Sequence, residues 1–466
     1  MTEFNYLFKH YMIMDYNNIR PERLFHLNEK EIISGREFIV YRMQSSVRIY
    51  NNLALYHAIE MARKSKLKLI VIYNLDPDFP EANYRHFNFL ISGIIEIGEK
   101  LATMGITLKL LYGNFEDQIK LLFPKIAAMI TDIGYLQYYR NQLLWLINNL
   151  PCQLIGVEDN LCIPITSASH KQEWSARTIR PKIMNKLDYF MRDKFINPLS
   201  ELIFDENIKF NSNDPDLIGF INMIKKNNYL SETDFVPGEN AALKTLDEFV
   251  NNKLSDYNKN RNNPEKHATS RLSPYLHFGM ISPISIVEKI IDNPLSAPFI
   301  EQIVVRRELA HNFIWYNNMY NKYNALPGWC LNTLKIHSSD LRTYIYDKYQ
   351  LENINTHDEC WNAAMHEMVH TGYMENTMRM YWGKKIIEWS NTPEEAFDTI
   401  AFLNNKYFLD GRDANSWTGI AWCFGLHDRP WVERPIFGKI RYMNKAGLYR
   451  KYNMIKYISE NKNSLH

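Results

Sequence analysis

The strongest constraint in this chain is an alternation that begins near residue 37. Short, continuously apolar runs are EFIVYRM (37–43), KLIVIYNL (68–75), ITLKLLYG (106–113), KIAAMITDI (125–133) and QLIGVED (153–159). Between them lie stretches with helical periodicity, notably NNLALYHAIEMARK (51–64) and the segment around 85–103. A strand that is apolar on both faces has no solvent side and belongs inside a sheet covered on both sides. Strands alternating with helices in this manner predict a doubly wound parallel sheet, an α/β domain. Ligands of such folds sit outside the carboxyl ends of the strands. No G-x-G-x-x-G turn follows the first strand, so NAD binding is not expected there.

Residues 166–236 are polar and irregular, with PITSASHKQEWSARTIRPKI and FNSNDPD, and read as a linker with some helix. From PGENAALKTLDEFV (237–250) onward the pattern is helical. TPEEAFDTIAFLNNKYF (392–408) opens with a Thr N-cap, Pro at the first helical position and two Glu in the first turn, all helix-start signals. The expected division is an α/β domain over 1–165, a linker over 166–236 and an all-helical domain over 237–466. A net charge of +2 means that any polyanionic partner must be met by a local basic patch. Five cysteines with no CxxC suit a reducing compartment, so a cytoplasmic or nuclear protein is expected and not a secreted one. The N-terminus lacks a signal-peptide pattern and no uninterrupted apolar stretch is long enough to span a membrane.

Five motifs carry chemistry. MHEMVH places His366, Glu367 and His370 as HExxH, the spacing of a zinc endopeptidase. The extended HExxHxxGxxH pattern fails, since Gly372 is misplaced and position 376 is Asn. The preferred reading is therefore helix-surface residues and no metal. YNKNRNNPEKHATSRLSPYLHFGMIS (257–282) offers Thr269, Ser270 and Ser273 beside Pro274, at a helix start suited either to phosphate or to plain N-capping. Trp361, Trp382 and Trp389 form a third set. The last two are seven apart, so they share a helix face about 10 Å apart along the axis. Core packing and stepwise electron transfer both fit that spacing. A basic tail runs from Arg429 to Lys456 with interleaved Tyr442, Tyr449 and Tyr452, a pattern that suits a phosphate backbone but, as a basic run alone, is more often a solvated surface. Arg441 and Lys445 lie four apart there and would share a face if helical. Finally, LDGRDANSWTGIAWCFGLHDRPWVERPIFGKIRYMNK (409–445) combines Asp410, Arg412, Asp413 and Asp428 with Trp417, Trp422, Trp431 and a run of cations.

Together these pieces resemble the class II cyclobutane pyrimidine dimer photolyases of the photolyase/cryptochrome family. The resemblance runs from about residue 35 through most of the chain. It is strongest in TSRLSPYLHFG (269–279), VVRREL (304–309), THDECWNAA (356–364), RMYWGKKIIEW (379–389), LDGRD (409–413) and GLHDRPWVERPIFGKIRYM (425–443). It implies an N-terminal α/β domain and a C-terminal helical domain holding FAD, active as the reduced form FADH⁻. It also implies light-driven electron transfer that splits cyclobutane dimers in UV-damaged DNA, with the damaged base flipped out of the stack. A monomer with no membrane partner is expected, and a second, light-harvesting chromophore of unidentified chemistry belongs to the N-terminal domain.

Position by position, the resemblance assigns FAD contacts to Tyr257, Thr269, Ser270, Arg271, Leu272 and Ser273. It assigns an ion pair near the cofactor to Arg261 and Asp428, and a salt bridge beside the ring system to Arg379 and Asp410, with Arg412 in the same LDGRD segment. Asn404 would face the flavin N5. Trp382, Trp361 and Trp389 would carry electrons, in that order from flavin to surface. Gln302, Met380 and Trp422 would contact the dimer, and Arg441 the DNA. The chain departs from the pattern at Gln302, where members often carry Glu, and at DANSW in place of a DPNGY-like segment. Glu301 is expected to face away from the pocket. A cryptochrome-like photoreceptor without repair is the rival reading. The chain's end at His466, soon after the basic segment, favours repair.

Overall fold

A computed structural model describes residues 19–191 and 208–462. Six strands form one sheet: β1 (Leu24–His26), β2 (Phe38–Arg42), β3 (Lys68–Leu75), β4 (Thr107–Tyr112), β5 (Ile126–Asp132) and β6 (Gln153–Val157), in the order β1-β6-β5-β2-β3-β4. All neighbours pair in parallel except β1, which runs antiparallel to β6. Central β2 pairs Val40 with Ile70 on one side and Met129 on the other, and β5 is buried at all seven positions. The α/β expectation holds strand for strand. Strand β1 was not anticipated: three residues are too short to show a period.

Three long helices belong to the sheet layer, α1 (Leu53–Ser65), α2 (Tyr84–Thr103) and α3 (Gln137–Asn149). Asn52 caps α1 by accepting from Leu55 N–H at 2.8 Å, satisfying one of the orphan donors of a helix start. The segment read as a linker holds α4 (Ala176–Met191) and a further helix over Pro215–Asn227; residues 192–207 of that segment lie outside the described residues. In α4, Ile179, Ile183, Leu187 and Phe190 are buried at helical spacing, a stripe masked in the sequence by the charges around it.

The remainder is helical: α5 (Glu239–Asn252), α6 (Arg307–Tyr316), α7 (Glu359–Thr371), α8 (Asn376–Trp389), α9 (Pro393–Tyr407), α10 (Ala414–Cys423), α11 (Lys445–Lys451) and α12 (Met454–Lys462). As read from the sequence, Thr392 caps α9, accepting from Glu395 N–H at 3.1 Å. Helix α7 packs on α8 and α12, α8 on α9, and α10 on both α6 and α9.

A buried ion pair locks the helical part onto the sheet, just past the carboxyl ends of β2 and β6. Arg48 lies 2.7 Å from Asp159 with both side chains fully buried. Its guanidinium also donates to Asn160 Oδ1 at 2.9 Å and to the Gly279 carbonyl at 3.1 Å. A buried charge is tolerable when its donors are met in this way. Gly279 sits at φ +70°, and a Cβ there would fall 1.9 Å from the Ser45 carbonyl oxygen, so glycine is required for the backbones to meet.

Candidate cofactor and nucleic-acid site

Helices α7 and α8 bring the three tryptophans together. Trp361, Trp382 and Trp389 are exposed by 0%, 1% and 2%. Trp382 and Trp389 sit two turns apart on α8, and Trp361 enters from α7. The Trp361 indole N–H donates to the Trp382 carbonyl at 3.1 Å. The Trp361 and Trp389 rings lie 5.7 Å apart, inclined at 66°. Beyond Trp382, Phe408 meets the indole edge-on at 6.3 Å. The Arg379 guanidinium lies 3.7 Å from the Phe408 ring and 3.1 Å from Asp410 Oδ1. The assigned Arg379–Asp410 bridge is thus formed, with Phe408 as a partner that sequence reasoning missed.

Around this centre several buried polar atoms are left open. Asn404 donates to Asn405 Oδ1 at 2.9 Å and to Ser416 Oγ; no donor meets its Oδ1 among the described residues. Thr269 hydrogen-bonds with Tyr373 OH at 2.7 Å and donates to Glu375 Oε1 at 3.0 Å. Glu375 Oε2, Trp382 Nε1 and Thr418 Oγ1 are buried without a partner. Burial pushes the Glu375 carboxyl up to about 7, against opposing help from the Thr269 hydroxyl and nearby cations. Tyr373 was not singled out from the sequence, and Glu375 was weighed there only as a third ligand for the HExxH histidines; the structure puts it on Thr269 instead. Buried polar atoms without partners are costly and scarce in finished proteins, so Glu375 Oε2, Trp382 Nε1 and Thr418 Oγ1 are candidate contacts for a polar ligand.

The neighbouring assigned residues have definite places. Tyr257 is buried between Phe249 and Phe299, and the Arg261 guanidinium lies 5.9 Å from its ring. Ser270 Oγ accepts from Leu272 N–H at 3.4 Å. Arg271 takes φ +54° and lies 4.5 Å from the Phe235 ring and 5.2 Å from that of Tyr373. Ser273 opens a short helix over Ser273–His277.

Three assignments need correction. Arg261 and Asp428 do not pair: the Asp428 carboxylate accepts from its neighbour Arg429 N–H at 2.9 Å and from the Trp431 indole at 3.3 Å. Arg412 faces the α/β side, not the open atoms around Trp382. Its backbone N–H donates to Asn405 Oδ1 at 3.0 Å and its guanidinium reaches His86 Nε2 at 3.0 Å. There it lines a cavity with Tyr138, Tyr139, Phe79 and Gln44, and Arg412 Nη2 and Gln44 Oε1 are buried and unpartnered. Arg441 and Lys445 share no helix face, because α11 begins at Lys445. Lys445 is held 3.0 Å from Glu359.

Arg441 instead enters a cleft of about 600 Å³ lined by Met380, Trp431, Arg434, Tyr442, Arg450 and Lys451, among others. Its guanidinium lies 5.2 Å from the Trp431 ring. Gln302 lies in a π-helical turn over Glu301–Arg306, a backbone irregularity frequent at functional sites and invisible in the sequence. Glu301 is engaged by cations: Arg180 donates to both its carboxylate oxygens, at 2.9 and 2.7 Å, and Arg306 joins at 3.2 Å. Arg306 in turn lies 5.5 Å from the Trp422 ring, which links the turn carrying Gln302 to Trp422. In the HExxH segment, buried Glu367 accepts from Tyr457 OH at 2.5 Å, so its carboxylate faces the core of α7 and α12.

A parallel-sheet unit followed by helices, here burying three neighbouring tryptophans, is the architecture of solved photolyases and a cryptochrome. A solved class III photolyase from Agrobacterium tumefaciens shares the fold, with a TM-score of 0.70 over 92% of this chain and 87% of that one, at 16% identity. The DNA photolyase family profile matches residues 39–198. The deoxyribodipyrimidine photo-lyase of Methanothermobacter thermautotrophicus is 40% identical over 94% of this chain and 98% of its own length. That of Potorous tridactylus is 35% identical over 90% of this chain and 80% of its own. The chain belongs to the DNA photolyase family.

Proposed function

We propose that this protein is a deoxyribodipyrimidine photolyase, repairing cyclobutane pyrimidine dimers in UV-damaged DNA with FAD as its cofactor. The observation that carries this reading is the buried Trp389–Trp361–Trp382 series, which leads from one side of α8 to Arg379, Asp410 and the cluster of open polar atoms. Photolyases and cryptochromes are flavoproteins, and the donor set here fits such a group. Thr269, Ser270, Arg271, Leu272 and Ser273, with Tyr257, Arg261 and Glu375, would hold its polar chain. Arg379, Asp410 and Asn404 would hold its ring system. When bound in reduced form, FAD supplies one light-driven electron to the dimer and recovers it once the cyclobutane bonds have broken.

The chain's own residues do the rest. Asn404, pinned through its amide N–H groups, offers Oδ1 as an acceptor to a ring N–H. The Arg379 guanidinium, spread over Phe408 and paired with Asp410, supplies a positive field beside the ring without leaving an unpaired buried charge. Trp382, Trp361 and Trp389 relay electrons inward when the cofactor needs to be reduced. Met380 and Trp422 offer apolar and aromatic surface to the extruded dimer, and Gln302 can donate an N–H to a base carbonyl but cannot deliver a proton. Arg434, Arg441, Arg450 and Lys451 line a cleft that suits the phosphates flanking the lesion. This basic cleft favours repair over a photoreceptor role, since signalling requires no DNA groove.

The domain division at about 165 and 237 follows from the same reading, with an antenna-type unit before the flavin unit. Unpartnered Arg412 Nη2 and Gln44 Oε1 in an aromatic-walled cavity at the carboxyl ends of β2 and β3 support a second chromophore there. The test is direct. Purified protein should show flavin absorption bands and, under light, restore dimer-containing oligonucleotides to intact thymines. Flavin without light-dependent repair would leave the photoreceptor reading; absence of flavin would remove both.

A further inference from the structure

The tryptophan series does not end at Trp389. The backbone N–H of Tyr346 donates to the Trp389 carbonyl at 3.1 Å, and the two rings meet edge-on at 5.4 Å. His357 lies 5.3 Å from the same indole. The Tyr346 hydroxyl is 2.8 Å from His357 Nδ1 and also accepts from the His357 backbone N–H at 3.1 Å. The backbone bond leaves the hydroxyl proton free to point at Nδ1, which accepts it when the imidazole carries its proton on Nε2. Tyr344 stacks on the His357 imidazole at 3.7 Å, inclined by 19°. A surface histidine is thus held against the hydroxyl of one tyrosine by the ring of another.

This arrangement has a chemical consequence. A phenol that loses an electron becomes a very strong acid, so tyrosine oxidation is favourable only when a base takes the proton. An indole can lose an electron and keep its proton. We propose that His357 is the proton acceptor that lets Tyr346 take over the oxidised state from Trp389, so that the electron chain terminates in a neutral tyrosyl radical at the surface. The inference rests on the photolyase reading of the tryptophan series.

The step balances. An electron drawn inward through Trp361 leaves Trp389 as a radical cation. Tyr346 gives one electron to Trp389, and the Tyr346 O–H proton passes to His357 Nδ1. The products are neutral Trp389, a tyrosyl radical and a His357 imidazolium stacked on Tyr344. A thiolate in solution then gives one electron to the tyrosyl radical, leaving as a thiyl radical, while His357 returns the proton to the oxygen. The exchange separates the oxidised site from the buried indoles by one hydrogen-bonded proton, which slows the backward electron step.

Desolvation, helped by Lys385 and Lys445, lowers the His357 pKa below the ordinary 6.5 against Asp358 and Glu388, which raise it; these four are the charged groups facing the ring. Lys385 is itself paired with Glu388 at 2.6 Å. That direction favours the neutral imidazole, the form that accepts a proton.

Flash photolysis of the flavin-loaded protein, started from the oxidised state, tests this. The wild type should show an indole radical that converts to a tyrosyl radical, more slowly in D₂O. Tyr346→Phe should show the indole radical alone. His357→Asn keeps an acceptor near the hydroxyl but no base, and should slow the conversion on the order of a hundredfold, the low end of what a positioned base contributes. In the wild type the tyrosyl yield should fall as pH drops through the His357 titration, which proton NMR of the imidazole measures separately. Repair by chemically reduced protein should be unchanged in both variants, which also shows that they fold. An indole radical that never converts, or converts equally fast in His357→Asn, overturns the inference and spares the electron chain. A wild type with no indole radical overturns both.

Discussion

Arg441 and Lys445 lie four residues apart in one basic segment, yet the structure predicts opposite behaviour for them. Lys445 is 3.0 Å from Glu359 and both are half-exposed. Its charge is already answered, and removing such an exposed pair costs about 1 kcal/mol or less. Arg441 lines the cleft, as do Arg434, Arg450 and Lys451, and none of the four has a carboxylate partner among the described residues. If each neutralises one phosphate, duplex binding should follow a log–log salt slope of about −3.6, and Arg441→Ala should bring it to about −2.7. Between about 50 and 200 mM salt the wild type would then lose ~150-fold in affinity and the variant only ~40-fold. Arg441→Lys should keep the slope, because it keeps the charge while giving up the planar contact with Trp431. Lys445→Ala should keep both slope and affinity. Fluorescence anisotropy on a dimer-containing duplex over a salt series reads all four proteins. A wild-type slope in Arg441→Ala, or a flattened one in Lys445→Ala, would refute the assignment of this cleft to the phosphate backbone.

Three further outcomes follow from the site. Trp382→Phe keeps aromatic volume but removes the oxidisable indole. Oxidised protein should then resist photoreduction by external reductant, while protein reduced chemically still repairs; steady-state flavin absorbance under illumination checks it. Gln302→Glu should leave the fold intact, read by circular dichroism, and change dimer affinity or repair yield, because a carboxylate replaces an N–H donor on the π-helical turn. Burial lifts the Glu375 carboxyl from the ordinary 4.5 to about 7, so the folded state holds that proton more tightly than the unfolded one. Its stabilisation is complete below about 4.5 and is lost as pH rises to 7. Glu375→Gln should abolish that decline, worth about 2 kcal/mol between the two pH values, in urea denaturation of flavin-stripped protein at pH 5 against pH 7.5.

The sheet was legible in the sequence because each parallel strand, buried on both faces, is an unbroken apolar run between turns. KLIVIYNL could be read at its full extent for that reason, whereas three-residue β1 offers no period and is held only by its pairing with β6. Helix α9 was legible from its own ends, since Thr392, Pro393 and two glutamates act within one turn. The site depends on distant parts of the chain. Arg412 was expected at the flavin because it stands two residues from Asp410, but its guanidinium bonds His86, 326 positions away. Proximity along the chain carried no information about which side of the backbone its guanidinium would take.

The proposed electron chain shows the same division. The seven-residue spacing of Trp382 and Trp389 is a property of α8 alone and was readable, but it leaves about 10 Å of helix axis between the rings. Whether that gap insulates or conducts depends on what fills it. Trp361 fills it from α7, bonded to the Trp382 backbone and 5.7 Å from Trp389. Beyond Trp389, the loop around 346 and the residue before the α7 cap supply a phenol and an imidazole in hydrogen-bond contact. Core packing and electron transfer, which spacing could not separate, are therefore not competing explanations here. The three indoles are buried as core residues are, and their order in space, from the Arg379–Asp410 pair to a surface phenol with its own base, is what packing alone would not require.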